Sequence, residues 1–204
     1  MKISAILIIL LIAFVGPAKA DPVSYTFSAI GSGSLGSDSF SDQTFTITST
    51  ADTADITEST GPGVVVIYVV PDTATTVTVD GLGTATFTIP TENVANSIGA
   101  VAIEAPGQTT DNSYANVLDQ GNFELSDYNL STSIGPISGN AGINDGLDFS
   151  TTAGDFDLTS VTTDTFQAQV VPEPGSCALL TLGTVVLCSR RIALKQSELF
   201  RKRC

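Results

Sequence analysis

The residues able to do chemistry in the middle of this chain are almost all oxygen donors. Asn144-Asp145-Gly146-Leu147-Asp148 and Asp155-Phe156-Asp157 set carboxylate and amide oxygens at alternate or near-alternate positions. Hard cations take oxygen ligands, and an Asn/Asp-rich turn containing Gly can wrap one. Asn144, Asp145, Asp148, Asp155 and Asp157 are therefore the candidate metal ligands, and calcium is the one cofactor the pattern admits. It is not an EF-hand, because full alternation and the glutamate at the twelfth position are missing. The competing reading makes these acids solvated turn and outer-face residues. In a strand, Asp155 and Asp157 would share one face, with Phe156 turned inward.

Glu58, Glu92, Glu104 and Glu124 are the other carboxylates of interest. Glycoside hydrolysis needs two of them about 5–10 Å apart, one with a raised pKa. Spacing along the chain does not set such a distance. Sugar sites also use aromatic platforms, and here there is no Trp and only four Tyr. Tyr25 and Tyr68 fit buried strand positions, which leaves Tyr114 and Tyr128 for a surface role.

Just as informative is what is missing. All eight basic residues, Lys2, Lys19, Arg190, Arg191, Lys195, Arg201, Lys202 and Arg203, lie at the two ends. From Asp21 to Val171 there is no Lys, Arg, His, Cys, Met or Trp, whereas every acid except Glu173 and Glu198 falls there. The overall net charge of −13 thus conceals a wholly anionic body between two basic ends. Such a body cannot neutralise phosphates, so nucleic acid is excluded as its partner. Ser-His and Cys-His nucleophile chemistry is excluded, as are zinc, haem and iron–sulfur sites built on His or Cys. No Gly-rich stretch is followed by Lys, so there is no P-loop.

The first end, residues 1–20, reads as a signal peptide. Lys2 supplies the positive start, an apolar run follows from Ile3 to Val15, and Gly16-Pro17 breaks the helix. Ala18-Lys19-Ala20 offers small residues at the spacing signal peptidase accepts, which places cleavage after Ala20. The apolar run is too short for a membrane anchor. The other end, residues 171–204, has three parts in order. Val171-Pro172-Glu173-Pro174-Gly175 is extended, since its prolines and glycine disfavour a helix. An uncharged, mostly apolar run from Ser176 to Ser189 follows, and then the cluster opened by Arg190 and Arg191. Those two arginines act as a membrane stop that holds its side in the cytoplasm. By snorkelling they let Ile192, Ala193 and Leu194 lengthen a short transmembrane helix toward a full span.

Pro172-Glu173-Pro174, the apolar helix and the terminal Arg cluster together resemble the PEP-CTERM sorting signal of bacterial proteins processed by an exosortase. The resemblance implies export and transient membrane retention through the C-terminal helix. It also implies recognition at Pro172, Glu173 and Pro174 by an exosortase-like enzyme, followed by cleavage and display at the cell surface or in the extracellular matrix. A Gram-negative source that makes exopolysaccharide is implied as well. Cys177, Cys188 and Cys204 all lie in this tail, so no disulfide framework staples the body.

The body, residues 21–170, shows period-2 alternation and no long helical period. Val23, Tyr25, Phe27 and Ala29 alternate with Ser and Thr, as do the runs 44–48, 76–79 and 85–89. Asp80-Gly81-Leu82-Gly83 between two runs is a hairpin signal. Further strands are expected at 64–70, 98–105, 123–130, 147–150, 155–159 and 165–171. Ser and Thr are abundant because Thr suits the wet face of a strand. The expected fold is all-β: a single jelly-roll-like β-sandwich, flanked by an N-terminal signal helix and a C-terminal transmembrane helix. No fixed repeat supports a solenoid. The expected function is that of a non-enzymatic surface or matrix protein with a structural or adhesive role. The alternative is a module that binds matrix polysaccharide or adheres through calcium, and a hydrolase using a carboxylate pair comes third.

Overall fold

The computed structural model describes residues 21–61, 63, 65–106, 113–118, 124–142 and 149–171. Both terminal segments, and with them the signal helix, Pro172, Glu173, Pro174, the apolar helix, Arg190 and Arg191, lie outside the described residues. Among the described residues no helix is long and apolar enough to cross a membrane.

The described chain is all-β and antiparallel. Eleven strands occur in chain order: β1 (Pro22–Leu35), β2 (Asp38–Asp52), β3 (Thr57–Thr60), β4 (Val66–Val79), β5 (Gly83–Thr86), β6 (Glu92–Asn96), β7 (Ala100–Glu104), β8 (Ser113–Leu118), β9 (Ile134–Gly142), β10 (Phe149–Thr151) and β11 (Gly154–Val170). Pairing runs β1-β2-β4-β6-β7-β8-β9-β11, and β11 then pairs back onto β1, so the ladder closes on itself. Closure removes the exposed edges that an open antiparallel sheet presents. Around this ring each strand pairs with the next along the chain, the short β3, β5 and β10 being appended to it. Such sequential order corrects the jelly-roll expectation, which requires Greek-key crossings; neighbours in the ring follow one another along the chain, as in a meander.

Two strands turn the corners. β4 pairs with β6 through Ile67–Pro71 and with β2 through Asp72–Val79. β9 pairs with β11 up to Gly139 and with β8 from Asn140 onward. A second, shorter closure lies at the other end, where Phe87 bridges Thr151 and thereby joins β5 to β10. Thr88 N–H donates to Ser150 C=O and Thr152 N–H to Thr86 C=O, both within 2.9 Å.

The alternating residues fill the interior as the pattern predicts. Val23, Tyr25, Phe27, Ala29, Phe45, Ile47, Val77 and Val79 are all buried. One aromatic group gathers Tyr25, Phe27 and Tyr128 around Phe166, with centroids 5.0–6.4 Å away. Another gathers Phe40, Phe45 and Phe87 around Phe156 at 5.9–6.4 Å. Each such ring removes roughly 2–3 kcal/mol of apolar surface from water, so the interior is a packed core without disulfides.

Several expected elements differ in the structure. Val66–Val70 of the run expected at 64–70 and the run 76–79 belong to one strand, because Pro71 falls where β4 changes partners and needs no ladder donor there. Of the strand expected at 123–130, the described residues 124–130 form none: Leu125, Tyr128 and Leu130 are buried from a turn, and Leu130 takes a positive φ of 66°. Tyr128 is therefore a core residue and not a surface platform. Its hydroxyl donates to Thr132 C=O at 3.0 Å, and the Tyr25 hydroxyl donates to Leu130 C=O. The Asp80-Gly81 hairpin forms as expected between Val79 and Gly83.

Candidate functional site

Of the five candidate cation ligands, Asn144, Asp145 and Asp148 lie outside the described residues. Asp155 and Asp157 sit on β11 as the strand reading requires, both turned outward while Phe156 between them is 1% exposed. Ser150 Oγ donates to Asp155 Oδ1 at 3.0 Å, a cross-strand bond that occupies one of its oxygens. Among the described residues no three His, Cys, Asp or Glu side chains group closely enough to hold a metal ion.

The four glutamates divide. Glu58 lies exposed on β3, and Glu124 belongs to the 124–127 turn. Glu92 and Glu104 are brought directly opposite each other on β6 and β7. Directly opposed side chains on an antiparallel pair stand about 5 Å apart at Cβ. Burial, and then the neighbouring Glu92 charge, push the Glu104 carboxyl up to about 7. The sequence supplied the residue types of this pair but not its register.

The most elaborate polar site was not legible from the motifs. Asp72 lies at the corner where β4 changes ladders. Its carboxylate accepts from Asn93 Nδ2 at 2.6 Å, from Thr91 Oγ1 at 2.7 Å and more weakly from Thr75 Oγ1 at 3.4 Å. Asn93 Nδ2 also reaches Ser49 Oγ at 2.7 Å. The Thr75 and Thr91 hydroxyls are 2.6 Å apart. Ser49, Thr75, Thr91 and Asn93 are all buried, so the donors are held in place by the walls of the fold. Burial raises Asp72 to about 6, against the pull of its donors.

A cleft of about 310 Å³ opens beside this network, lined in part by Asp72, Thr73, Thr75, Thr88, Ile89 and Thr91. It offers hydroxyls and a shallow apolar wall. A general base must turn a free lone pair toward its substrate. Both Asp72 oxygens are instead engaged from within, so Asp72 locks β2, β4 and β6 at the corner and positions the threonines.

A third buried acid, Asp164, lies on the inner face of β11 at 2% exposure. Asp72, Glu104 and Asp164 share one circumstance. With no Lys, Arg or His anywhere in 21–171, no basic side chain of the body can neutralise them. Sequence reasoning missed Asp164 although a signal existed. Extending the Ala168, Phe166 alternation one step back puts position 164 on the inward face.

No protein-family model, no characterised protein and no solved structure matches the chain.

Proposed function

We propose that this chain is a non-catalytic, exported cargo with a structural or adhesive role at the cell surface or in the extracellular matrix. On this reading residues 1–20 take it across the inner membrane, and residues 171–204 hold it there until a PEP-CTERM-type processing enzyme acts at Pro172, Glu173 and Pro174. The two-ladder body then works as a sandwich whose filled interior supports a Thr-rich, acidic exterior.

The observation that carries the reading is where the ladder stops. β1 begins at Pro22 and β11 ends at Val170, and these ends pair with each other, Val23 opposite Val170. These strand ends lie next to the boundaries read for the two addresses, which supports the reading. The ring of strand pairings closes among the described residues alone.

Replacing Pro172, Glu173 and Pro174 together by Ala tests this in the native host. The variant is expected to accumulate in the membrane fraction with its C-terminal basic cluster intact, and little of it should be released. Release and processing at the wild-type level would contradict the proposal.

A further inference from the structure

Asp164 is a carboxyl without a counter-charge at a structural corner. Both its oxygens are buried, and neither has a hydrogen-bond partner. It stands opposite Ala29 on β1 and Gly139 on β9, neither of which offers a polar side chain. The Asp164–Gly139 pair is also the last of the β9–β11 ladder. One residue later β9 has crossed to β8. The acid therefore sits at the end of a seam, where opening breaks the fewest ladder bonds.

The elements around it supply nothing to balance a charge. β9 carries no titratable side chain, and β8 carries only Tyr114. β1 contributes Tyr25, and Tyr128 reaches the same region through Phe166. Burial raises both phenols, so they stay neutral. β2 contributes Phe45 in the same row, and its acids Asp38, Asp42 and Asp52 are like charges. The remaining acids of β11, Asp155 and Asp157, lie toward its far end.

We propose that Asp164 is a proton-operated latch: as the neutral acid it lets β9 close on β11, and its ionisation opens that corner. Losing the proton leaves a bare carboxylate in an apolar site, and the least costly relief is to expose it by parting Gly139 from Asp164. Burial holds the group up at about 8, and the Thr165 backbone N–H, close by but outside hydrogen-bonding geometry, pulls only weakly the other way. The folded value is raised above the unfolded 3.8, so the folded state binds the extra proton. Its contribution to stability is complete below the unfolded value and is lost as pH rises through about 8. Asp72 and Glu104 titrate with the same sign but lower, near 6 and 7, so a transition above neutrality belongs to Asp164.

Two measurements on the full chain test the latch. Infrared difference spectra of the wild type should show the carbonyl stretch of a protonated carboxylic acid at pH 7 that disappears near pH 8. Hydrogen exchange should show opening of the β9 amides that rises by up to about tenfold per pH unit as that point is approached from below and levels off above it, after correction for the intrinsic rate. Asp164→Asn should lose the component that titrates near pH 8, retain the lower-titrating signals of Asp72 and Glu104, and keep the β9 amides protected across the same range. Absence in the wild type of any carboxylic-acid signal that titrates above pH 7 would overturn the proposal without any variant. Equal alkaline opening in wild type and Asp164→Asn would overturn it as well.

Discussion

Phe166→Ala is expected to destabilise the body by about 3–5 kcal/mol, a cost typical of deleting a buried aromatic ring from a core that cannot collapse around the void. Phe166 is wholly buried on β11, opposite Phe27 on β1 and Ile137 on β9. It also meets Tyr25, Phe27 and Tyr128 at ring distances of 6.4, 5.0 and 5.8 Å. The substitution therefore removes the ring on which the β1, β9 and 124–130 contacts converge. A body of about 150 residues loses roughly 2–4 °C of melting temperature per kcal/mol, so the melting point should fall by about 6–20 °C. A domain with only about 5–15 kcal/mol in hand would be brought near its limit. Thermal denaturation followed by circular dichroism checks this, and a fall of less than about 3 °C would mean that Phe166 does not centre the core.

Gly33→Ala is expected to be the next most damaging change, and for a different reason. On β1 Gly33 faces Leu158 of β11 beside a break in the register of the two strands. A Cβ at this position would lie 1.9 Å from the backbone oxygen of Asp157. No rotamer relieves a clash between one backbone and another, so β1 and β11 would have to separate there. Overpacking of this kind costs about 1–3 kcal/mol, and the upper end applies because the longest pairing in the molecule is disturbed. Gly81→Ala is the useful contrast. There a Cβ would meet nothing within 4 Å, and only the φ of +83° is unfavourable. Its cost should stay near 1 kcal/mol. Chemical denaturation of both variants checks the order, and equal losses would show that close strand approach is not what requires Gly33.

These two sites mark how far the sequence could be read. The period-2 runs around Val23–Ala29, Phe45–Ile47 and Val77–Val79 point to the inward faces directly, because alternation is set by the strand itself. What alternation does not carry is partnership. It could not show that Pro71 sits inside one long strand, that β9 serves two ladders, or that β11 returns to β1 to close the ring. Those features depend on contacts between distant parts of the chain. The segment 123–130 misled for a related reason, since apolar residues that plug a core from a turn need follow no period. Asp155 and Asp157 behaved as read. Asp72 and Asp164 were hidden because an acid is ordinarily assigned to the surface. Their burial becomes interpretable only once it is seen that the body holds no base to pair with them.

That absence links the charge pattern to the chemistry. In an anionic body without cations, self-repulsion is relieved only by protons and by ions from solution. Salt at physiological strength screens the surface acids over about 8 Å and leaves the buried ones largely unscreened. Surface acids thus set what the protein keeps away from, and interior acids set the pH at which its corner holds.

The central claim is that a self-contained β body is carried by two removable addresses. Intact mass measurement and C-terminal peptide mapping of the extracellular protein, purified from the native host, test it most directly. The account predicts a chain that begins at Asp21 and has lost Arg190, Arg191 and everything after them. Extracellular protein that still carries Arg203 would contradict it.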